Sequence, residues 1–212
     1  ARVRAPISID TTKTAAARRA LASGALLIND ISALTADPDM APLAAEAGVP
    51  VVLMHMRGEP RTMQVDPVYA HVTREVMAFL AQARDRAEAA GIRRDRILVD
   101  PGIGFGKTFA HNLQLLRELG QFAALDAPLL VGTSRKAFIR HLLKAPGGPD
   151  LAADAPVVAQ GTQATVAVAA LAGAHMVRVH DVAATRITLA MVDAIRNAPP
   201  TVPAGGDAAP RG

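Results

Sequence analysis

Cysteine is absent from all 212 residues, which excludes disulfides and thiol chemistry. Aromatic side chains make up only 3% of the chain, too few for the stacking platforms that hold unpaired bases. The basic balance, a net charge of +4 and a pI of about 10.1, therefore does not point to nucleic acid. Its lysines and arginines are scattered, and such a balance suits a small anionic ligand equally well. No run of about 18 consecutive apolar residues occurs, so no membrane span is expected. Neither a charged start leading into an apolar stretch nor a cleavage site is visible. The expectation is a cytoplasmic protein with neither nucleic acid nor membrane as a partner. Half of the residues are hydrophobic and the mean hydropathy is +0.22, ample for one large core.

One pattern recurs along the chain. Apolar runs end on a polar residue and lead into a helical stretch: Pro6–Asp10, Leu26–Asp30, Val51–Met56, Ile97–Asp100, Leu129–Lys136 and Met176–Asp181. Such runs suit strands buried on both faces of a parallel sheet. Between and after them, alanine-rich or 3.6-periodic segments predict helices over Thr14–Ala22, Met40–Ala47, Val68–Ala90, Asn112–Leu119, Thr162–Ala172 and Thr185–Arg196. Gly24, Gly48, Gly91 and Gly173 stand just past four of these, where helices are capped. Six β-then-α units in a row define an α/β protein.

The stretch "ILVDPGIGFGKT", Ile97–Thr108, looks at first like a phosphate loop. A P-loop needs glycine five residues before its Gly-Lys-Thr, and Pro101 stands there. Gly102, Gly104 and Gly106 are spaced G-x-G-x-G, which also misses the dinucleotide fingerprint. No phosphate loop fits, and polar groups close every strand: Asp10, Asn29, His55, Asp100, Ser134 with Arg135 and Lys136, and Arg178 with His180. An open doubly wound sheet gathers its functional groups near one switch point. A (β/α)8 barrel spreads them over many strand ends, and the barrel is the better reading. Six strands fall two short of eight, so two N-terminal βα units are expected to be missing, and without them the chain alone is expected to be inactive and poorly soluble. The Pro/Gly-rich stretch from Ala198 to Gly212 is expected to be a disordered tail after a barrel domain over residues 1–197.

The motifs "ISIDTTK", "GALLINDISAL", "VVLMHMRGEPRTMQ", "LVDPGIGFGKTFAHN", "LLVGTSRKAFI" and "VRVHDV" together resemble the dihydropteroate synthase family, folate-pathway transferases inhibited by sulfonamides. The resemblance runs in order from about residue 6 to residue 196. It implies a (β/α)8 barrel that joins 4-aminobenzoate to a dihydropterin methyl diphosphate, releasing diphosphate and 7,8-dihydropteroate. By the same resemblance, Asp10, Asn29, Met54, Asp100, Phe105 and Lys136 would contact the pterin. Ser134, Arg135 and Lys136 would face the aminobenzoate, and Arg178 and His180 the leaving diphosphate. Lys136, Arg178 and His180 would be the catalytic set. Mg²⁺ is the implied cofactor, with its family ligand outside this chain, and a homodimer the implied assembly.

The residues themselves bear on these roles. A buried carboxylate can accept two N–H bonds from an aminopyrimidine edge, and an amide such as Asn29 suits the same edge. Three glycines without side chains would leave a flat ring unobstructed. Arg178 and His180 alternate with Val177 and Val179, so they share one face, where two cationic-capable groups call for an anion. Asp181 points the other way and reads as structural. His55 reads as either a satisfied core group or a ligand contact. No third partner stands at metal-ligand spacing from the histidines, so zinc is not expected. Ala137 stands where many family members carry serine. Two alternatives stay open: a pterin-binding domain that passes methyl groups to a corrinoid, or a pterin-binding fragment without turnover.

Overall fold

The computed structural model describes residues 3–58 and 62–199. Six strands follow one another: β1 (Ser8–Asp10), β2 (Leu27–Asp30), β3 (Val51–Met54), β4 (Ile97–Asp100), β5 (Leu130–Val131) and β6 (Met176–Val177). Their helices are α1 (Thr14–Ala22), α2 (Met40–Ala47), α3 (Val72–Ala89), α4 (Phe109–Arg117), α5 (Ala137–Leu142), α6 (Pro156–Leu171) and α7 (Val182–Arg196). Strands β1 to β4 pair in parallel, as do β5 and β6. A parallel bridge between Val99 and Leu129 joins the two groups. The order is sequential and never reverses, so there is no switch point of the doubly wound kind. The sheet also curls: Arg178, just past β6, forms an ion pair with Asp10 at the end of β1. This is the (β/α) barrel architecture.

Strand alternation decides which side chains meet the helices. Ile28, Val51, Leu53 and Ile97 pack with Ala17, Met40, Leu43, Ala44, Ala83 and Ala87 from α1, α2 and α3. Val99, Leu129 and Val131 pack with Val76, Leu80, Leu115, Phe122, Phe138 and Val158. The opposite parity therefore turns inward. In register, Asp10 stands beside Asn29 and Asn29 beside Val52, while Met54 stands beside Asp100. The polar strand ends thus meet at one rim of the curled sheet.

Local chemistry explains the helix limits. Gly24, Gly48, Gly91 and Gly173 all adopt positive φ just past α1, α2, α3 and α6, where a side chain would be strained. Asp181 caps α7 by accepting from the Ala184 N–H at 3.0 Å, the structural part read for it. Helix α3 starts at Val72, four residues later than periodicity predicts. His71 is extended, with φ −152°, and the Val68 carbonyl is taken by Arg57 instead of by a helical turn. Strands β5 and β6 are shorter than their apolar runs, their ladder ending at Val131 and Val177, and a turn closed by the Lys136 N–H on the Thr133 carbonyl follows β5. Helix α5 has only six residues, too few for periodicity to announce it. No described helix is long and apolar enough to cross a membrane. Of the expected tail, residues 200–212 lie outside the described residues.

Candidate functional site

Asp100 ends β4 with 7% of its surface exposed, and its Oδ1 accepts the Gly102 N–H at 2.7 Å. Burial pushes its carboxyl pKa upward; Lys136, the Gly102 N–H, Lys107 and Arg178 pull against that. Met54 stands in register beside it and is 3% exposed. Asn29, on the same inward face two strands away, is 8% exposed, and its Oδ1 is buried without a partner among the described residues. A buried acceptor left unpaired costs about 1–3 kcal/mol, so this oxygen is poised for an N–H from outside. Acid and amide together offer acceptors to a donor-edged ring.

The glycines do something other than clear space for that ring. A Cβ on Gly102 would lie 1.9 Å from the His55 carbonyl oxygen, and one on Gly106 2.1 Å from that of Arg57. Both adopt positive φ. They let the turn press against the backbone that follows β3, which packs the site from below. Only Gly104 faces the pocket, with the Lys136 stem 3.0 Å from a notional Cβ. Gly102→Ala is thus expected to destabilise the fold by ~1–3 kcal/mol from the left-handed φ alone, with the overlap adding to that. Gly104→Ala carries the same positive-φ strain but meets only a flexible side chain, so it should lose less by the overlap, and urea denaturation of the two variants checks the order.

Lys136 is positioned by a tight turn. Its N–H donates to the Thr133 carbonyl at 3.2 Å, and Arg135 sits at φ +59° with its N–H on Thr162 Oγ1 at 3.1 Å. The Lys136 Nζ reaches the Ile103 carbonyl and lies 4.8 Å from the centre of the Phe105 ring. Burial pulls its pKa down to about 8, against the opposing pull of Asp100. Beside it opens a cavity of about 540 Å³, whose walls include Gln64, Phe105, Phe109, Lys136, Ala137 and Phe138. Ser134 and Arg135, read from the sequence as companions of Lys136 toward a second substrate, do not line it. No ion pair engages Arg135 among the described residues.

Ser134 bonds to His180. Its Oγ lies 2.8 Å from His180 Nδ1 and also accepts the His180 backbone N–H at 3.3 Å. The Ser134 hydroxyl can donate to Nδ1 of a neutral ring, and in that tautomer Nε2 carries the imidazole proton. Arg178 is exposed and paired with Asp10, so the two groups read for pterin and for diphosphate form one ion pair. His55, open between two readings, is a satisfied core group: 3% exposed, held by Lys107, its pKa pulled down to about 3 by burial and then by Lys107. Two groups escaped sequence reasoning. Thr162 of α6 holds the Arg135 turn, and Lys107, 2% exposed, is a fully buried lysine. Its only trace was a lysine inside an otherwise apolar glycine stretch. No three carboxylate or imidazole groups converge as a metal site among the described residues. The described residues do not form an oxygen cage for Mg²⁺.

Parallel barrel architecture and a buried strand-end acid with amide, lysine and arginine companions define a (β/α) barrel protein with a polar, acceptor-bearing rim. A profile of the family described as pterin binding enzyme matches residues 1–180. The dihydropteroate synthase of Escherichia coli strain K12 is 42% identical over 192 residues, covering 91% of this chain and 65% of that one. That of Mycobacterium leprae is 45% identical over 199 residues, covering 92% and 69%. Dihydropteroate synthase from Stenotrophomonas maltophilia, solved with imidazole bound in its active site, superposes with a TM-score of 0.85 at 44% identity, covering 93% of this chain and 72% of that one. The enzyme from Xanthomonas albilineans in complex with 7,8-dihydropteroate gives 0.80 at 40% identity, covering 92% and 68%. The chain belongs to the pterin-binding enzyme family, among its dihydropteroate synthases. It spans about 65% of the length of the E. coli relative.

Proposed function

We propose that the protein condenses 4-aminobenzoate with (7,8-dihydropterin-6-yl)methyl diphosphate, giving 7,8-dihydropteroate and diphosphate. One observation carries the proposal: the buried Asp100 carboxylate and the unpartnered Asn29 oxygen share the inward rim with Met54, beside Lys136 and Arg178. The product-bound Xanthomonas relative supports it. In the reaction the amine nitrogen bonds to the pterin methylene as the C–O bond breaks. The bonding pair leaves with diphosphate, and the amine gives up one proton. Asp100 and Asn29 hold the aminopyrimidine edge. Phe105 and Lys136 line the cavity beside that edge, which suits an aromatic amine. Arg178 exchanges Asp10 for the leaving diphosphate, and His180 presents its Nε2–H to the same anion, so both act where negative charge builds.

Mg²⁺ use, a homodimer and a cytoplasmic location belong to the same proposal and rest on resemblance to the family. For the dimer, further support comes from Ile187, Met191 and Ile195, which lie four residues apart along α7 and are each more than half exposed. Incubation of the protein as its gene encodes it with both substrates and Mg²⁺ should release diphosphate only when both are present. Pterin binding without release would contradict the proposed transferase. A charged Lys136 is needed at the ring, so turnover should fall as pH rises through about 8, where this ammonium loses its proton. In Lys136→Arg that alkaline limb should move well above pH 8, and an unmoved limb would assign it to another group.

A further inference from the structure

Lys107 is used by none of these steps, yet it is among the largest fully buried side chains of the protein. Its Nζ lies 2.9 Å from His55 Nδ1, 2.9 Å from the Gly102 carbonyl and 3.0 Å from the Phe105 carbonyl. Three donors of an ammonium meet three acceptors. The two carbonyls bracket the short backbone segment that serves the site from both sides. Its Gly102 N–H holds Asp100, and its Ile103 carbonyl receives Lys136. His55, the third acceptor, is tied to the same strand end, donating its backbone N–H to the Asp100 carbonyl at 3.0 Å.

We propose that Lys107 is a positioning residue of the pterin site: its buried ammonium clamps the glycine turn to the end of β3 and supports the negative charge of Asp100. The inference rests on the function proposed above. A neutral donor could staple carbonyls at less expense than a desolvated charge, so the charge itself calls for a reason. Asp100 is the acid that faces it. Lys136 from the start of α5 and Arg178 past β6 also face Asp100, while His55 and Arg57 face Lys107 from the end of β3. Burial draws the Lys107 pKa down to about 7, with Asp100 drawing it back. The ammonium is therefore charged below about pH 7, and its loss would push the Asp100 carboxyl, already raised by burial, further up. Neutral His55 leaves Nδ1 free to accept.

The experiment is 6-hydroxymethyl-7,8-dihydropterin affinity from pH 5 to pH 9, by calorimetry on the protein as its gene encodes it, for the wild type, Lys107→Gln and Lys107→Arg. Lys107→Gln should lose roughly tenfold in affinity near pH 6 and much less near pH 8.5, its acid limb displaced to higher pH. Lys107→Arg, still charged, should keep the acid limb of the wild type even if it binds less tightly. A purely structural staple would weaken binding equally at every pH, and that result would overturn the proposal. Failure of both variants to fold would overturn it too, because a group needed by the whole fold is not a device of the site. A wild type with no pterin affinity would instead sink the proposed function.

Discussion

Asp100→Asn should lower the affinity for 6-hydroxymethyl-7,8-dihydropterin at least about tenfold near neutral pH. The amide keeps the size of the carboxylate and one acceptor, which Gly102 can still use. It loses the charge and turns the second acceptor into a donor that faces the N–H groups of the ring. Hydrogen bonds to charged groups contribute ~1.5–3 kcal/mol each, and about 1.4 kcal/mol is a tenfold change in affinity. Stability should move the other way. The folded-state pKa of this acid is raised by burial, so the fold favours its neutral form, and the carboxyl's contribution is lost as pH rises through that pKa. A permanently neutral Asn should therefore leave the melting temperature at pH 7 unchanged or higher. Calorimetric titration together with thermal melts separates the two effects, and unchanged binding would remove Asp100 from the pocket.

Arg178→Ala should weaken the diphosphorylated pterin by about a hundredfold or more, since two charge-assisted bonds are at stake. The plain hydroxymethyl pterin, with no anion to lose, should bind within about threefold of the wild type. The partner Asp10 complicates the reading in a useful way. Once freed of its arginine, its carboxylate stands near the anion's place and repels it, so Asp10→Asn in the Arg178→Ala background should recover part of the loss. Equal losses for both ligands would show that Arg178 only braces β6 against β1.

The reach of the sequence can be judged residue by residue. Helices α1 and α2 and strand β4 were legible to the residue because apolar runs, alanine-rich periodicity and following glycines agree there. Asp10, Asn29 and Asp100 were legible as candidates because each interrupts an apolar run at its end. What alternation supplies is a face, not a partner. Arg178 and His180 could be placed on one side of their strand, yet neither the Arg178–Asp10 pair nor the Ser134–His180 bond has any local signal, for these depend on how the sheet curls. The glycine turn misled for a related reason: a missing side chain reads alike whether ligand or backbone fills the space, and His55 and Arg57 carbonyls fill it here. Lys107 was illegible because a lysine ordinarily predicts solvent.

The central claim, that the rim around Asp100 is the pterin floor, is tested most directly by a crystal structure with 6-hydroxymethyl-7,8-dihydropterin bound. The ring should lie with its aminopyrimidine edge on both Asp100 oxygens, Asn29 Oδ1 within hydrogen-bond distance of a ring donor, and Lys136 beside the face turned toward Phe105. A ring lodged instead in the cavity between Phe105 and Phe138, with Asp100 bonded only to Gly102, would contradict the account.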